Sequence, residues 1–427
     1  MAHENYRESS TFSQSVNLLL ANPGAWMRTS LPKFMNDSRE VMAQVPLSPQ
    51  ELEAMSWCQR HHYLASYALQ RQEKRWEEAV GIKAAESHFT LVVPIYNEEK
   101  SLPSFLSTLM LTDLPASLDV NIVFITNACT DASAAIIRAF LSRVGDVEDC
   151  SLPDSCKDKN PGVACVCARR GSVTFMHVDT PTPGKANVLR MGNAIARASG
   201  HTIAMSMDAN NYVEPDALRA LFARAHIAFR AIPQPQDTVL LSGVGQTVMK
   251  DSRLKGLLDK GNNMHLHMVE AGEGVVNGWV MAWNTAWMDS IGGPPEVALE
   301  DYAMGVLARA RQFKIAQVDE AIVWGYGVND LKGLMTTRAR YVRGKLQLLE
   351  LVDYAPSVYE IVVQEAYYMQ NFTGRLHYLL YRSGKSPFNF PKYVAAFLLW
   401  EYAVRKGKRD YKRNPTNQSW EKVAATY

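Results

Sequence analysis

Five short β-branched apolar runs, interleaved with amphipathic stretches, set the pattern of residues 88–244. The runs are "FTLVVPI", "VNIVFIT", "SVTFMHV", "TIAMSM" and "TVLLSGV". Between them lie "DASAAIIRAFLSRV", "KANVLRMGNAIARAS" and "PDALRALFARAHIAF", whose apolar positions recur at helical spacing. Strands that alternate with helices join in parallel and carry the helices on both faces. The predicted fold class is therefore α/β, a Rossmann-like, mostly parallel sheet. In such sheets ligands bind beyond the carboxyl ends of the strands, so the residues just after each run are the candidates for chemistry.

The flanks read differently. Residues 1–87 are predicted as a helical N-terminal extension, with "SPQELEAMSWCQRHHYLASYALQRQEKRWEEAV" helical from its Ser-Pro start. Strand signals stop near residue 326, and residues 327–427 read as a helical C-terminal region. Leu331, Leu334, Met335, Tyr341, Val342 and Leu349 form the apolar side of its first helix. The region ends in an aromatic helix, "YVAAFLLWEYAV", followed by the basic run "RKGKRDYKR". This tail is either a packed helix with a solvated basic end or a segment lying on an anionic membrane surface.

Composition narrows the classes. With 47% hydrophobic and 21% charged residues, the chain belongs with ordinary globular proteins. Lys+Arg 45 against Asp+Glu 43 excludes a broad polyanion-binding surface, so no nucleic-acid partner is expected. "MAHENYRESS" has neither the basic start nor the apolar stretch of a secretory signal, which predicts a cytoplasmic setting. The longest apolar stretch is interrupted by Glu401 and falls short of the roughly 20 residues of a spanning helix.

The strand ends carry polar groups in turn. "VVPIYNEEKSL" sends Pro94, Tyr96, Asn97 and Glu98 to the sheet edge, either to grip a nucleoside or to start a helix with Asn97 as cap. "VFITNACTDAS" places Asn127 and Asp131 next, where Asp131 also suits a helix cap. "TPTPGKANVL" puts Lys185 at a helix start, where it can pair with a diphosphate or stand in solvent. "SMDANNYVEP" ends the fourth run on Asp208, Ala209 and Asn210.

As a set, and in this order, these segments resemble the nucleotide-sugar domain of family-2 glycosyltransferases with the GT-A fold. The resemblance continues through "NGWVMAWNTAWMDSIGGPPEVALEDYAMGVLARARQFKIAQVDEAIVWGYG" and ends in "TTRARYVRG". It implies a GT-A domain over residues 88–326, with a donor half at 88–212 and an acceptor half at 213–326. It further implies an inverting transfer of a sugar from a nucleotide-sugar donor to an acceptor hydroxyl, which is lipid-linked, a natural product or a protein side chain. Pro94, Tyr96, Glu98, Asn127, Asp131, Lys185, Asp208, Ala209 and Asn210 match the donor-binding positions. Glu300 and Asp301 match the catalytic pair, with Asp301 as base. Arg340 and Arg343, with Arg338 beside them, match the basic helix that neutralises the leaving diphosphate.

Asn127, Cys129 and Asn210 depart from the family pattern, Cys129 standing in place of a usual Ser. Asn127 stands where much of the family has Asp, and an amide both donates and accepts hydrogen bonds. Asp208 and Asn210 match the two ends of the metal-binding Asp-x-Asp, so Mg²⁺ or Mn²⁺ is implied but more weakly held than by two carboxylates. The loss leaves a second reading open, that of a nucleotide-sugar-binding or scaffold protein of reduced activity. Cys150, Cys156, Cys165 and Cys167 crowd one segment, where a structural Zn²⁺, a disulfide or plain reduced thiols are the alternatives. His265 and His267 line the acceptor side or play a structural part.

Overall fold

The computed structural model describes residues 76–110, 112, 114, 115, 117–248, 276, 278–326, 331–350 and 390–415. The chain divides into a unit of residues 1–72 and a unit of residues 73–427, and every described residue belongs to the second. The predicted helices before residue 76, and His265 and His267, lie outside the described residues.

The first half runs β1 (His88–Ile95), α1 (Leu102–Met110), β2 (Asp119–Asn127), α2 (Ser133–Val144), β3 (Glu148–Asp149), α3 (Asp154–Lys159), β4 (Ala164–Arg170) and β5 (Val173–Thr180). Then come α4 (Lys185–Ala198), β6 (Ile203–Met207), β7 (Asn211–Val213), α5 (Ala217–Ala228) and β8 (Thr238–Val248). The last part holds β9 (Val280–Asn284), α6 (Thr285–Ser290), α7 (Glu300–Ala310), β10 (Lys314–Tyr326), α8 (Leu331–Glu350) and α9 (Phe390–Arg413).

One sheet of ten strands takes the order β3-β4-β5-β2-β1-β6-β9-β8-β10-β7. Its centre, β5-β2-β1-β6, is parallel throughout. Strands β4, β9 and β7 run against the rest, so seven of ten point the same way. The alternation of strand side chains explains the unbroken apolar runs. Leu91, Val93 and Ile95 of β1 enter one buried layer with Phe124 and Phe175, whereas Val92 enters the opposite layer with Val123 and Val178. Both faces are covered, so both are mainly apolar, and the one buried hydroxyl of β1, Thr90, is paired with His201 Nδ1.

Helix α4 lies close on β1. A Cβ added at Gly192 would stand 2.2 Å from a Val92 methyl carbon, so only glycine permits this approach. The contact fixes the height of α4 over the sheet, and with it the position of Lys185 at its first turn. At the other end of the unit, α8 packs on the segment before α7, with Leu348 buried against Val297 and Leu299. Among the described residues no helix is long and apolar enough to cross a membrane.

The four-thiol zinc site is corrected by this arrangement. Cys150 and Cys165 are joined in a disulfide, with Cα atoms 5.5 Å apart, because Cys150 runs alongside β4 and its N–H donates to the Cys165 carbonyl. Cys156 and Cys167 are free and buried, Cys156 on α3 facing the Met191 carbonyl and Cys167 on β4. Burial pushes the Cys156 thiol up to about 11. A disulfide sulfur is no thiolate ligand, and among the described residues no group of three metal-ligating side chains converges.

One buried histidine makes the fold sensitive to acid. The Thr126 hydroxyl donates to Asp179 Oδ1 at 2.7 Å, so His177 Nε2, 2.9 Å away, carries the proton it shares with that hydroxyl oxygen. Burial lowers the imidazole from 6.5 to about 4, against the pull of Asp179. A depressed folded value means that the unfolded chain takes up the proton first. The stability is complete above about 6.5 and falls as pH drops towards 4, by about 3 kcal/mol in all. Unfolding midpoints measured across this window should fall accordingly, and His177→Gln should flatten the trend; an unchanged slope in the variant refutes the assignment.

Candidate active site

Three groups of residues meet the carboxyl edge of the parallel strands. The first is the pair of loops after β1 and β2. Asn97 sits at φ 55°, a left-handed conformation that asparagine tolerates, and its side-chain oxygen accepts from Thr130 N–H at 2.7 Å. The Cys129 thiol accepts from Asn97 N–H and donates to the Ile95 carbonyl. Asp131 accepts from Glu99 N–H at 3.1 Å and from Ser133 N–H at 3.0 Å, and a Glu99 carboxylate oxygen accepts from Ala132 N–H. Glu98 N–H donates to Ser133 Oγ, and a Glu98 carboxylate oxygen accepts from Ser101 Oγ at 2.5 Å. Most polar groups here thus fasten one loop to the other. Tyr96 is 38% exposed at the rim, and Pro94 is half-buried in β1 beside Ile125 of β2. Asn127 is buried, and its side-chain oxygen meets no hydrogen-bond partner among the described residues.

The second group is the densest. Lys185 Nζ donates to Asp208 Oδ1 at 2.7 Å, stands 3.2 Å from Glu300 Oε1, and lies 3.5 Å from the Gly278 carbonyl. Asp208 arrives from the end of β6, Lys185 from the start of α4, and Glu300 from the start of α7, so three elements far apart in sequence converge on one ammonium. Asp208 itself is fixed by its N–H, which donates to the Trp279 carbonyl. A turn closed from Asn211 N–H to the Asp208 carbonyl then carries buried Ala209 and half-buried Asn210.

Asp301 stands next to this cluster. Its Oδ2 accepts from Gly278 N–H at 2.9 Å and its Oδ1 from Tyr302 N–H at 2.8 Å. A Cβ at Gly278 would come within 2.5 Å of Asp301 Oδ2, so the glycine makes room for the carboxylate. The sequence marks Gly278 only as the start of a Gly-aromatic strand; its approach to Asp301 reveals its part.

Burial and mutual charge shift the groups of this cluster. Burial pulls the Lys185 ammonium down, but Asp208, Glu300 and Asp301 together more than reverse this and raise it above its ordinary value. Glu300 is pushed up by burial first, then by Asp301 and Asp208, against the Lys185 charge. One ammonium thus faces three carboxylates. The carboxylates outnumber the ammonium, yet among the described residues they form no metal-holding group of three by themselves.

The third group is on α8. The Arg338 and Arg340 guanidinium carbons each lie 5.6 Å from the centre of the Tyr341 ring, Arg343 is 5% exposed, and Lys345 Nζ stands 5.0 Å from the centre of the Tyr302 ring. Burial lowers the Arg338 guanidinium. The helix is held to the approach of α7 by Ala298 N–H, which donates to Gln347 Oε1 at 2.8 Å, and by Gly344 against Leu299. The basic helix and the Glu300–Asp301 pair are therefore one packed assembly.

No family model matches the sequence, and no curated protein sequence matches it. Among solved structures the chain is similar to the mannosyltransferase PcManGT from Pyrobaculum calidifontis, solved in complex with GDP-Man and Mn²⁺. The TM-score is 0.52 at 15% identity, over 81% of this chain and 95% of that one. S. aureus TarS 1-349 in complex with UDP-GlcNAc matches at TM-score 0.36 and 14% identity, over 76% of this chain and 89% of that one. Glucosyl-3-phosphoglycerate synthase from Mycobacterium tuberculosis, with Mn²⁺ and UDP-Glc, matches at TM-score 0.33 and 15% identity, over 58% and 73%. The likeness to PcManGT shows the fold, and that fold is GT-A.

Proposed function

We propose that this protein moves a sugar from a nucleoside diphosphate donor to an acceptor hydroxyl with inversion at the anomeric carbon. The observation that carries the reading is the ammonium of Lys185 held between Asp208 and Glu300, with Asp301 alongside, at the carboxyl edge of the sheet. Residues 88–212 form the donor half and residues 213–326 the acceptor half in this reading. Tyr96 packs on the nucleoside, and Asn127 brings an unmet acceptor oxygen to the base. Glu98 and the Asp131 loop hold this rim in shape.

Asp208, with Asn210 as neighbour, would hold Mg²⁺ or Mn²⁺ together with the diphosphate oxygens. Such a cation lowers the cost of the negative charge that grows on the leaving group. PcManGT, crystallised with GDP-Man and Mn²⁺, supports that pairing of donor and metal. Lys185, Arg340 and Arg343 add positive charge near the same group. Asp301 takes the proton of the acceptor hydroxyl as its oxygen attacks from the opposite face. Acceptors with a free hydroxyl on a lipid carrier, a natural product or a protein side chain all satisfy this chemistry.

Asn210 favours a second reading, a GT-A protein that binds a nucleotide sugar and turns it over poorly. A thermal-shift panel of UDP-, GDP-, CMP- and dTDP-sugars, with and without Mn²⁺, tests the first step. A true donor at a hundred times its Kd adds about 2.7 kcal/mol and raises the midpoint by several degrees. Donor hydrolysis then separates the readings: the transferase should release nucleoside diphosphate slowly, faster with Mn²⁺, and Asp208→Ala should abolish it. Binding without release supports the scaffold, and no binding by any nucleotide sugar removes both.

A further inference from the structure

Helix α9 has two faces of different chemistry. One packs on α8: Ala403 and Val404 are buried, and a Cβ at Gly407 would stand 2.6 Å from the Ala339 carbonyl oxygen. About half a turn away, at roughly 100° per residue, run Leu398, Tyr402, Arg405, Arg409 and Lys412. Their spacing of four, three, four and three residues draws one stripe along the helix, about 21 Å long. All five are exposed, Leu398 by 62% and Tyr402 by 54%. Residues 398–413 carry six basic side chains against Glu401 and Asp410, and one of the six, Lys406, is turned aside towards Thr336 Oγ1 at 3.4 Å.

Apolar side chains and cations side by side on one exposed stripe supply the two terms that hold a peripheral helix at a bilayer, buried apolar area and attraction to anionic lipid. We propose that this face of α9 docks on an anionic lipid surface. Leu398 and Tyr402 enter the boundary between headgroups and acyl chains, while Arg405, Arg409, Lys412 and Arg413 meet the lipid phosphates. Charge complementarity favours this occupant over a second copy. Two cationic stripes repel, and two exposed apolar side chains fall far short of the roughly 800 Å² that each partner buries in a stable dimer. The inference goes beyond the transferase reading, and it does not depend on it.

The test is co-sedimentation of the full chain with phosphatidylcholine vesicles, with and without phosphatidylserine, at low and high salt. Binding should require phosphatidylserine and weaken with salt. The double variant Arg405→Glu/Arg409→Glu should lower partitioning on the order of 25-fold or more. Leu398→Ser/Tyr402→Ser should also lower it while leaving the salt dependence in place. Both variants should keep the wild-type unfolding midpoint and the wild-type donor response, which separates a failure here from a failure of the transferase reading. Indifference to phosphatidylserine overturns the proposal, and so does a lipid-free dimer that Leu398→Ser/Tyr402→Ser disperses.

Discussion

Replacing Lys185 with methionine should destabilise the fold by about 3–5 kcal/mol and eliminate donor turnover, because it leaves buried carboxylates without their countercharge. The side chain of Lys185 is 10% exposed, those of Asp208 and Glu300 14% and 4%, so water offers little screening. The pH dependence follows from the shifts. In the wild type the raised ammonium contributes stability that is complete below 10.5 and lost only as pH climbs past its folded value. In the variant, Glu300 keeps the upward push of burial and loses the opposing Lys185 charge. A carboxyl raised in the folded state favours folding below its unfolded value of about 4.5 and ceases to as pH rises through its folded value. The gap between variant and wild type should therefore be widest near neutrality and narrow on acidification. Adding Glu300→Gln to the variant should recover part of the loss. Urea unfolding of the three proteins from acid to neutral pH makes the measurement; a deficit below about 1 kcal/mol at neutrality would mean that Lys185 is not the countercharge.

The sheet was legible in the sequence because burial on both faces forces continuous apolar runs, and β1, β2, β5 and β6 are those runs. The strand ends were legible for the same reason, since polar residues after a buried run have few places to go. What each polar residue touches was not. Lys185 at a helix start suggests an ammonium open to solvent or a diphosphate; its partners Asp208 and Glu300 lie 23 and 115 positions away and meet it where the end of β6 and the start of α7 reach the start of α4. Asp131 looks like a binding carboxylate, yet it accepts from Glu99 N–H of the facing loop and from Ser133 N–H. The cysteines show the limit most plainly: spacing alone gives no pairing, and the disulfide depends on Cys150 lying beside β4. Gly278 and Gly192 gain meaning only from what a Cβ would strike.

Asp301→Asn should lower turnover, read as nucleoside diphosphate release, on the order of 10²- to 10⁴-fold, the usual contribution of a general base. The two oxygens of Asp301 each accept one backbone N–H, from Gly278 and from Tyr302, which aims the carboxylate without neutralising it. Each oxygen keeps a second lone pair, so the group can still take a proton from an acceptor hydroxyl or from water. An asparagine keeps the shape but turns an NH₂ towards one of those two N–H donors, so it loses one bond as well as the basic oxygen. A stability loss is thus expected beside the catalytic one, and the donor-induced thermal shift tells them apart. If Asp301 is the base, the shift given by the best nucleotide sugar with Mn²⁺ persists while release collapses. If both vanish together, Asp301 is holding the Gly278 segment around the Lys185 cluster, and the proton must leave by another route. Glu300 is poorly placed for that task, because its carboxylate is buried and Lys185 Nζ stands 3.2 Å from its Oε1.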